Sequence, residues 1–141
     1  MTTVFWDTNL FIYLFERNPQ FSARVVEIRK NMLPRGDRLV TSSLTVGETL
    51  VKPAEEGNRT LANRYRAFFE HPALTVIPFD LKAACLYAEI RKDRRVSRPD
   101  AIQLACAAAA EVDLFITNDE RLAGKVVPGV KFVTSLARAP L

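Results

Sequence analysis

The sequence predicts an α/β fold: a three-layer sandwich in which a central, mostly parallel sheet of four to five strands is covered by helices. Two observations predict it. Short apolar strand-like runs alternate with helical segments along the whole chain, the order that a parallel sheet with crossover helices requires. The chain has 141 residues, of which 48% are hydrophobic, enough to bury one sizeable core. There is no internal repeat and no low-complexity segment.

Each element follows from a local pattern. Thr3–Trp6 reads as the first strand, and a helix follows over about Thr8–Arg17. In "NPQFSARVVEIRKNML", Phe21, Val25, Ile28 and Met32 recur at the spacing of one helix face. "PRGD" is expected to break that helix, and Leu39–Thr41 to form a second strand. "SSLTVGETLVK" opens on a serine cap, and its helix is expected to stop before Pro53. Leu61, Tyr65, Phe68 and Phe69 mark the next helix, ending near "HP". Leu74–Ile77 is a third strand, "DLKAACLYAEIRK" a helix, and "RPDAIQLACAAAAE" another, with Pro99 suited to its first turn. Leu114–Thr117 is a fourth strand, "NDERLA" a turn or short helix, and Lys131–Val133 a fifth strand.

Composition excludes several chemistries. The single histidine, His71, rules out paired-histidine acid–base catalysis and any zinc site built from several Cys and His ligands. Cys85 and Cys106 fall within helical apolar patterns without ligand spacing and are expected to be small core residues. No apolar run approaches a membrane span, and "MTTVFWD" does not read as a signal peptide, so a soluble cytoplasmic protein is expected, with no membrane partner.

The acids are distributed less blandly. In "VFWDTNLFIYLF", Asp7 is flanked by apolar runs, where a charge is costly without compensation. Either Asp7, Thr8 or Asn9 caps the following helix, or Asp7 faces a pocket with a cation as its partner. Glu48 lies about two turns into the helix after the second strand, Asp100 opens the helix before the fourth, and Asp119 follows the fourth in "ITND". Taken singly, each reads as a cap, a dipole partner or a solvated side chain. Together, the topology brings them toward the carboxyl ends of the strands, where such sheets bind ligands. Clustered carboxylates repel unless a cation intervenes, and oxygen donors without His or Cys select Mg²⁺ or Mn²⁺. Asn9, Thr117 and Asn118 supply neutral polar groups to support such a site.

"DTN" after the first strand, "GE" in an early helix, "RPDAIQLA" opening a late helix and "TND" after the fourth strand together resemble a PIN domain. The likeness runs over nearly the whole chain in the right order, so residues 1–141 are expected to form a single PIN domain. It is similar above all to the VapC toxins of toxin–antitoxin pairs. The resemblance implies a Mg²⁺-dependent endoribonuclease that hydrolyses RNA by metal-activated water, with Mn²⁺ as an alternative ion. Asp7 and Asp100 would be the first metal-binding and catalytic acids, with Glu48 and Asp119 completing the set. Thr117 matches a position that often bears a small hydroxyl, and Gln103 one that often holds His or Gln. A cognate antitoxin, whose arginine can enter the acidic site, and a homodimer are further expectations from the family.

The formal net charge is +4, and outside the four acids 20 basic residues face 12 acidic ones, which suits an RNA partner. "RKDRRVSR" leads straight to Asp100, and Arg98, nearest that acid, is the expected phosphate contact. The run "LFIYLF", Leu10 to Phe15, covers every face of a helix. Burial between layers is one reading, and a face that receives an antitoxin helix is the other. Phosphatases with an Asp nucleophile need an acid where Asn9 stands, and receiver domains need an acidic pair that "WD" lacks. A PIN-like module that binds RNA or protein without cutting is the alternative of another class.

Overall fold

A computed structural model describes residues 2–141. Five strands, β1 (Thr3–Trp6), β2 (Arg38–Ser42), β3 (Leu74–Ile77), β4 (Leu114–Thr117) and β5 (Phe132–Ser135), form one sheet in the order β3-β2-β1-β4-β5. Every pairing is parallel. The chain builds outward from β1 to β3 on one side, then returns to place β4 and β5 on the other. The reversal leaves a crevice beyond the carboxyl ends of β1 and β4, where open α/β sheets bind ligands.

The strands alternate faces residue by residue, and each face has its own core. Val4 and Trp6 of β1, Leu39 of β2, and Leu114 and Ile116 of β4 pack with Leu10, Phe11, Val25, Ile28 and Met32. Those helical residues belong to α1 (Thr8–Phe15) and α2 (Ser22–Arg35). Phe5, Val40, Phe115 and Val133 point the other way, toward Ala101, Leu104 and Ala108 of α6 (Arg98–Ala109). Phe5 and Phe115, opposite one another in register, stack at 4.8 Å and 8°. Seven residues of α6 are buried, four of them alanines, so the helix sinks between the sheet and α5 (Leu81–Ile90) on small side chains.

The remaining helices, α3 (Ser43–Glu55) and α4 (Arg59–Phe69), complete the layer with α1. Leu10 and Phe11 are fully buried, whereas Ile12, Tyr13, Leu14 and Phe15 are half-buried. Phe15 stacks on Tyr65 at 4.4 Å, and Phe11 packs on Trp6 and Phe69. Burial within an aromatic cluster therefore accounts for the core of the "LFIYLF" run.

Prolines end these helices less abruptly than the sequence suggests. Helix α3 continues through Pro53 to Glu55, and α2 includes Pro34 before Gly36 closes it at φ 69°. Both prolines fall in a last turn, where one missing N–H costs a single helical bond. Helix α1 stops earlier than expected, because Arg17 turns to φ 51°. Strand β5 starts one residue later and ends two residues later than expected, at Phe132 and Ser135, and "NDERLA" is a turn without helix. Cys106 is buried as expected, but Cys85 is exposed: it lies on the outer side of α5, away from the sheet. Among the described residues, no helix is long and apolar enough to cross a membrane.

At the amino ends of the strands, Asp37 ties β1 to β2. It accepts from the Thr2 backbone N–H at 2.8 Å, from Thr2 Oγ1 at 2.9 Å and from Arg35 Nε at 2.7 Å. Burial opposes ionisation of this carboxyl, but the donors of Thr2 and Arg35 outweigh it and hold its pKa below the usual value. Its contribution to stability is then complete above the unfolded value and lost as pH falls through the lowered folded one. Asp37→Asn should destabilise the chain by about 1–3 kcal/mol at pH 7, with wild type and variant converging in acid. Urea denaturation across pH 2–7 checks this, and a constant gap at all pH values would count against it.

Candidate active site

The four acids singled out in the sequence all line one open cavity of about 220 Å³ beyond β1 and β4, together with Thr8, Asn9, Ile12, Pro99 and Gln103. Different elements deliver them. Asp7 follows β1 directly and is the N-cap of α1, its Oδ1 accepting from the Thr8 backbone N–H at 2.8 Å. Glu48 projects from α3, which starts on the Ser42 cap at the end of β2. Asp100 stands in the first turn of α6, where negative charge suits the helix dipole, behind its Ser97 cap. Asp119 follows β4 by two residues. Asp7 is thus a cap and a cavity-facing acid at once.

Asp7 is the deepest of the four, 6% exposed. Its Oδ2 accepts from Thr117 Oγ1 at 2.7 Å, and Gln103 Nε2 approaches Oδ1 at 3.2 Å. Burial pushes its carboxyl up to about 6, against the donors of Thr117 and Thr8, and the neighbouring charge of Asp100 adds to the rise. A buried carboxylate in this state gains most from a cation, which would remove both penalties.

Behind the cavity lies a buried polar chain whose direction is fixed by its chemistry. Ser42 Oγ donates to Gln103 Oε1, which turns the amide nitrogen toward Asp7. Gln103 Nε2 lies 2.9 Å from Thr8 Oγ1 and 2.7 Å from Thr45 Oγ1. Thr8 Oγ1, 3.1 Å from Thr45 Oγ1, spends its own proton on Glu48 Oε1 at 2.7 Å. Buried polar groups need such partners, and here the partners also orient two of the acids.

Thr117 is fully buried, donates to Asp7 and accepts from the Asp119 backbone N–H at 3.0 Å. The Asn118 N–H donates to Asn9 Oδ1 at 3.4 Å, and its side chain donates to Tyr13 Oη at 2.9 Å, so both asparagines brace the loop after β4. Arg98 is exposed at the start of α6 and is not part of the cavity wall. Sequence reasoning missed Thr8, Thr45 and Ser42 as site groups, and Arg121, which grips Asp119. Arg121 donates to it through Nε at 3.0 Å and Nη2 at 2.9 Å, and holds its carboxyl below the usual range.

The donor set is all oxygen, which fits a hard divalent cation rather than zinc. Among the described residues, however, no three acidic, His or Cys side chains converge tightly enough to form a ready-made metal cage. Thr8 and Arg121 hold Glu48 and Asp119 by other bonds, so the acids share one cavity without closing on a common point.

A family profile described as the PIN domain matches residues 4–126, a span that includes all four acids. A search of curated proteins returns no significant match. Among solved structures, the chain is similar to one of VapBC2 from Rickettsia felis bound to a DNA fragment from their promoter. The two share 17% identity at a TM-score of 0.71, covering 94% of this chain and 98% of the other. It is also similar to a chain of a toxin–antitoxin complex from Klebsiella pneumoniae, at 24% identity and a TM-score of 0.64, covering 90% and 94%. A third likeness is to VapBC-5, of the VapBC family of toxin–antitoxin systems, from Mycobacterium tuberculosis, at 22% identity and a TM-score of 0.60, covering 96% and 99%. These likenesses agree in fold with the five-stranded parallel sheet described above, and the profile spans most of the chain. The protein belongs to the PIN domain family.

Proposed function

We propose that the protein is a Mg²⁺-dependent endoribonuclease, also served by Mn²⁺, and the toxin of a toxin–antitoxin pair neutralised by a cognate antitoxin. The observation that carries the reading is the meeting of Asp7, Glu48, Asp100 and Asp119 on one open cavity at the switch point of a PIN-family sheet. Support for the antitoxin comes from the similarity to toxin–antitoxin structures over nearly the whole chain.

In this reading Asp7 and Asp100 hold the cation, and Glu48 and Asp119 complete its surroundings. A bound hard divalent ion supplies activation of water and neutralises the charge that develops on a phosphodiester. The chain's own groups do the positioning. Thr117 and Gln103 fix the Asp7 carboxylate, and Thr8 fixes Glu48. Arg98, exposed two residues before Asp100, meets the RNA backbone from outside the cavity. His71 is exposed in the turn before β3 and takes no part.

The first test is purified, partner-free protein incubated with total RNA. Excess EDTA should abolish cleavage and added Mg²⁺ or Mn²⁺ should restore it. Cleavage that persists in EDTA would sink the metal mechanism. RNA binding without cleavage under any divalent ion would leave the family's non-catalytic reading in its place.

Asp7→Asn and Asp100→Asn should each lower the cleavage rate by roughly a hundredfold or more, since each removes a charged oxygen donor. They should differ in stability. With its carboxyl raised to about 6 from 3.8, Asp7 costs nothing below pH 3.8 and its full penalty above about 6. Without divalent ion at pH 7.5, Asp7→Asn should therefore be more stable than wild type by about 1–3 kcal/mol. Thermal melts at pH 4 and 7.5 check this; an equal gain at both would remove ionisation as its cause.

A further inference from the structure

The acidic cavity does not end at its own wall. Asp100 and Asp119 also line a second cleft of about 410 Å³, whose other residues are Arg95, Ser97, Arg121, Leu122 and Lys125. Two of its cations are gathered by one carboxylate: Asp93 accepts from Arg95 Nε at 3.0 Å and from Lys125 Nζ at 3.1 Å. The third, Arg121, is turned onto Asp119 in a two-pronged pair. The Arg121 side chain is 84% exposed, so the pair is screened by water and cheap to open. Arg121 also feels the negative charge of Asp100.

The charges in this cleft explain why the pair matters. With Asp93 counted, three cations face three carboxylates, so the cleft as it stands is near neutral and attracts an anion only weakly. A divalent cation beside Asp100 and Asp119 would turn that balance strongly positive and would compete with Arg121 for Asp119. The planar guanidinium that leaves is suited to a phosphate in the same fork geometry.

We infer that this cleft is a binding subsite for a backbone phosphate next to the one that is cut, and that Arg121 is exchanged between Asp119 and that phosphate. Arg121 thereby couples cation entry to nucleic-acid binding. The inference rests on the function proposed above, because it needs a cation at the acids. Coupling of this kind is reciprocal: each ligand raises the affinity for the other by the same factor.

The test uses Arg121→Ala, which removes an exposed side chain, with folding confirmed by circular dichroism. Mn²⁺ binding is measured by calorimetry without nucleic acid. Binding of a fluorescein-labelled single-stranded oligodeoxynucleotide, which presents the same phosphate backbone, is measured by anisotropy with and without Mn²⁺, its integrity checked on a gel. The variant should bind Mn²⁺ about two- to fivefold more tightly, because Asp119 is no longer occupied. It should lose most of the Mn²⁺-dependent gain in oligonucleotide affinity, and its salt slope should fall by about 0.7. Unchanged or weaker Mn²⁺ binding overturns the exchange, and an undiminished gain in oligonucleotide affinity overturns the subsite. Wild-type protein that binds no Mn²⁺ overturns the proposed function itself, together with this inference. The two failures are therefore distinguishable.

Discussion

A buried carboxylate sets the terms for this molecule. Asp7 ends the central strand, so its position follows from pairing with β2 on one side and β4 on the other. Burial there is costly, and the surroundings answer with donors from the adjoining start of α1 and from two distant elements, the middle of α6 and the end of β4. Even the backbone joins in, since the Asp7 N–H donates to Ile116 at 3.0 Å. The chain of hydroxyls from Ser42 and Thr45 through Gln103 to Thr8 exists at the same depth and orients the same amide. Loss of one member would leave others without partners, so these residues act as a unit.

The two ends of the sheet use carboxylates in opposite ways. At the amino end, Asp37 collects enough donors that its charge is favoured, and it stabilises the chain. At the carboxyl end, the donors around Asp7 fall short of the cost of burial, and the charge is disfavoured. A group left in deficit by its own fold is one that an outside cation can satisfy. The fold thus favours a carboxylate charge at one pole of the sheet and disfavours it at the other.

Much of this was legible in the sequence, for identifiable reasons. The strands are short and flanked by turn residues, and Asp7, Asp100 and Asp119 follow strand ends or open a helix, while Glu48 lies within reach in α3, so the topology brought them toward one end of the sheet. What stayed hidden were features that depend on packing. The resemblance marks the position of Gln103, but nothing in "AIQLA" says which side chains its amide meets, and nothing in "SSLT" says that the capping Ser42 also reaches across to α6. Pro34 and Pro53 look like breakers, yet each falls where a helix is already ending. Cys85 shares the periodicity of buried neighbours but lies on the far side of α5. Arg121 is one of many surface arginines in the sequence, and only the turn after β4 reveals that it folds back onto Asp119.

The central place of β1 also governs when the molecule can exist at all. The Asp7–Thr117 bond and the tie between the Thr3 N–H and Asp113 each span 110 residues of sequence. A chain emerging from the ribosome presents its first strand and the "LFIYLF" segment long before β4 is available to cover them. Non-local closure of this kind is slow, and apolar surface left uncovered in the meantime is prone to aggregation. It also means that no amino-terminal fragment short of β4 can assemble the acidic cavity. The site therefore needs β4 and the loop after it, and it forms as one unit rather than by degrees.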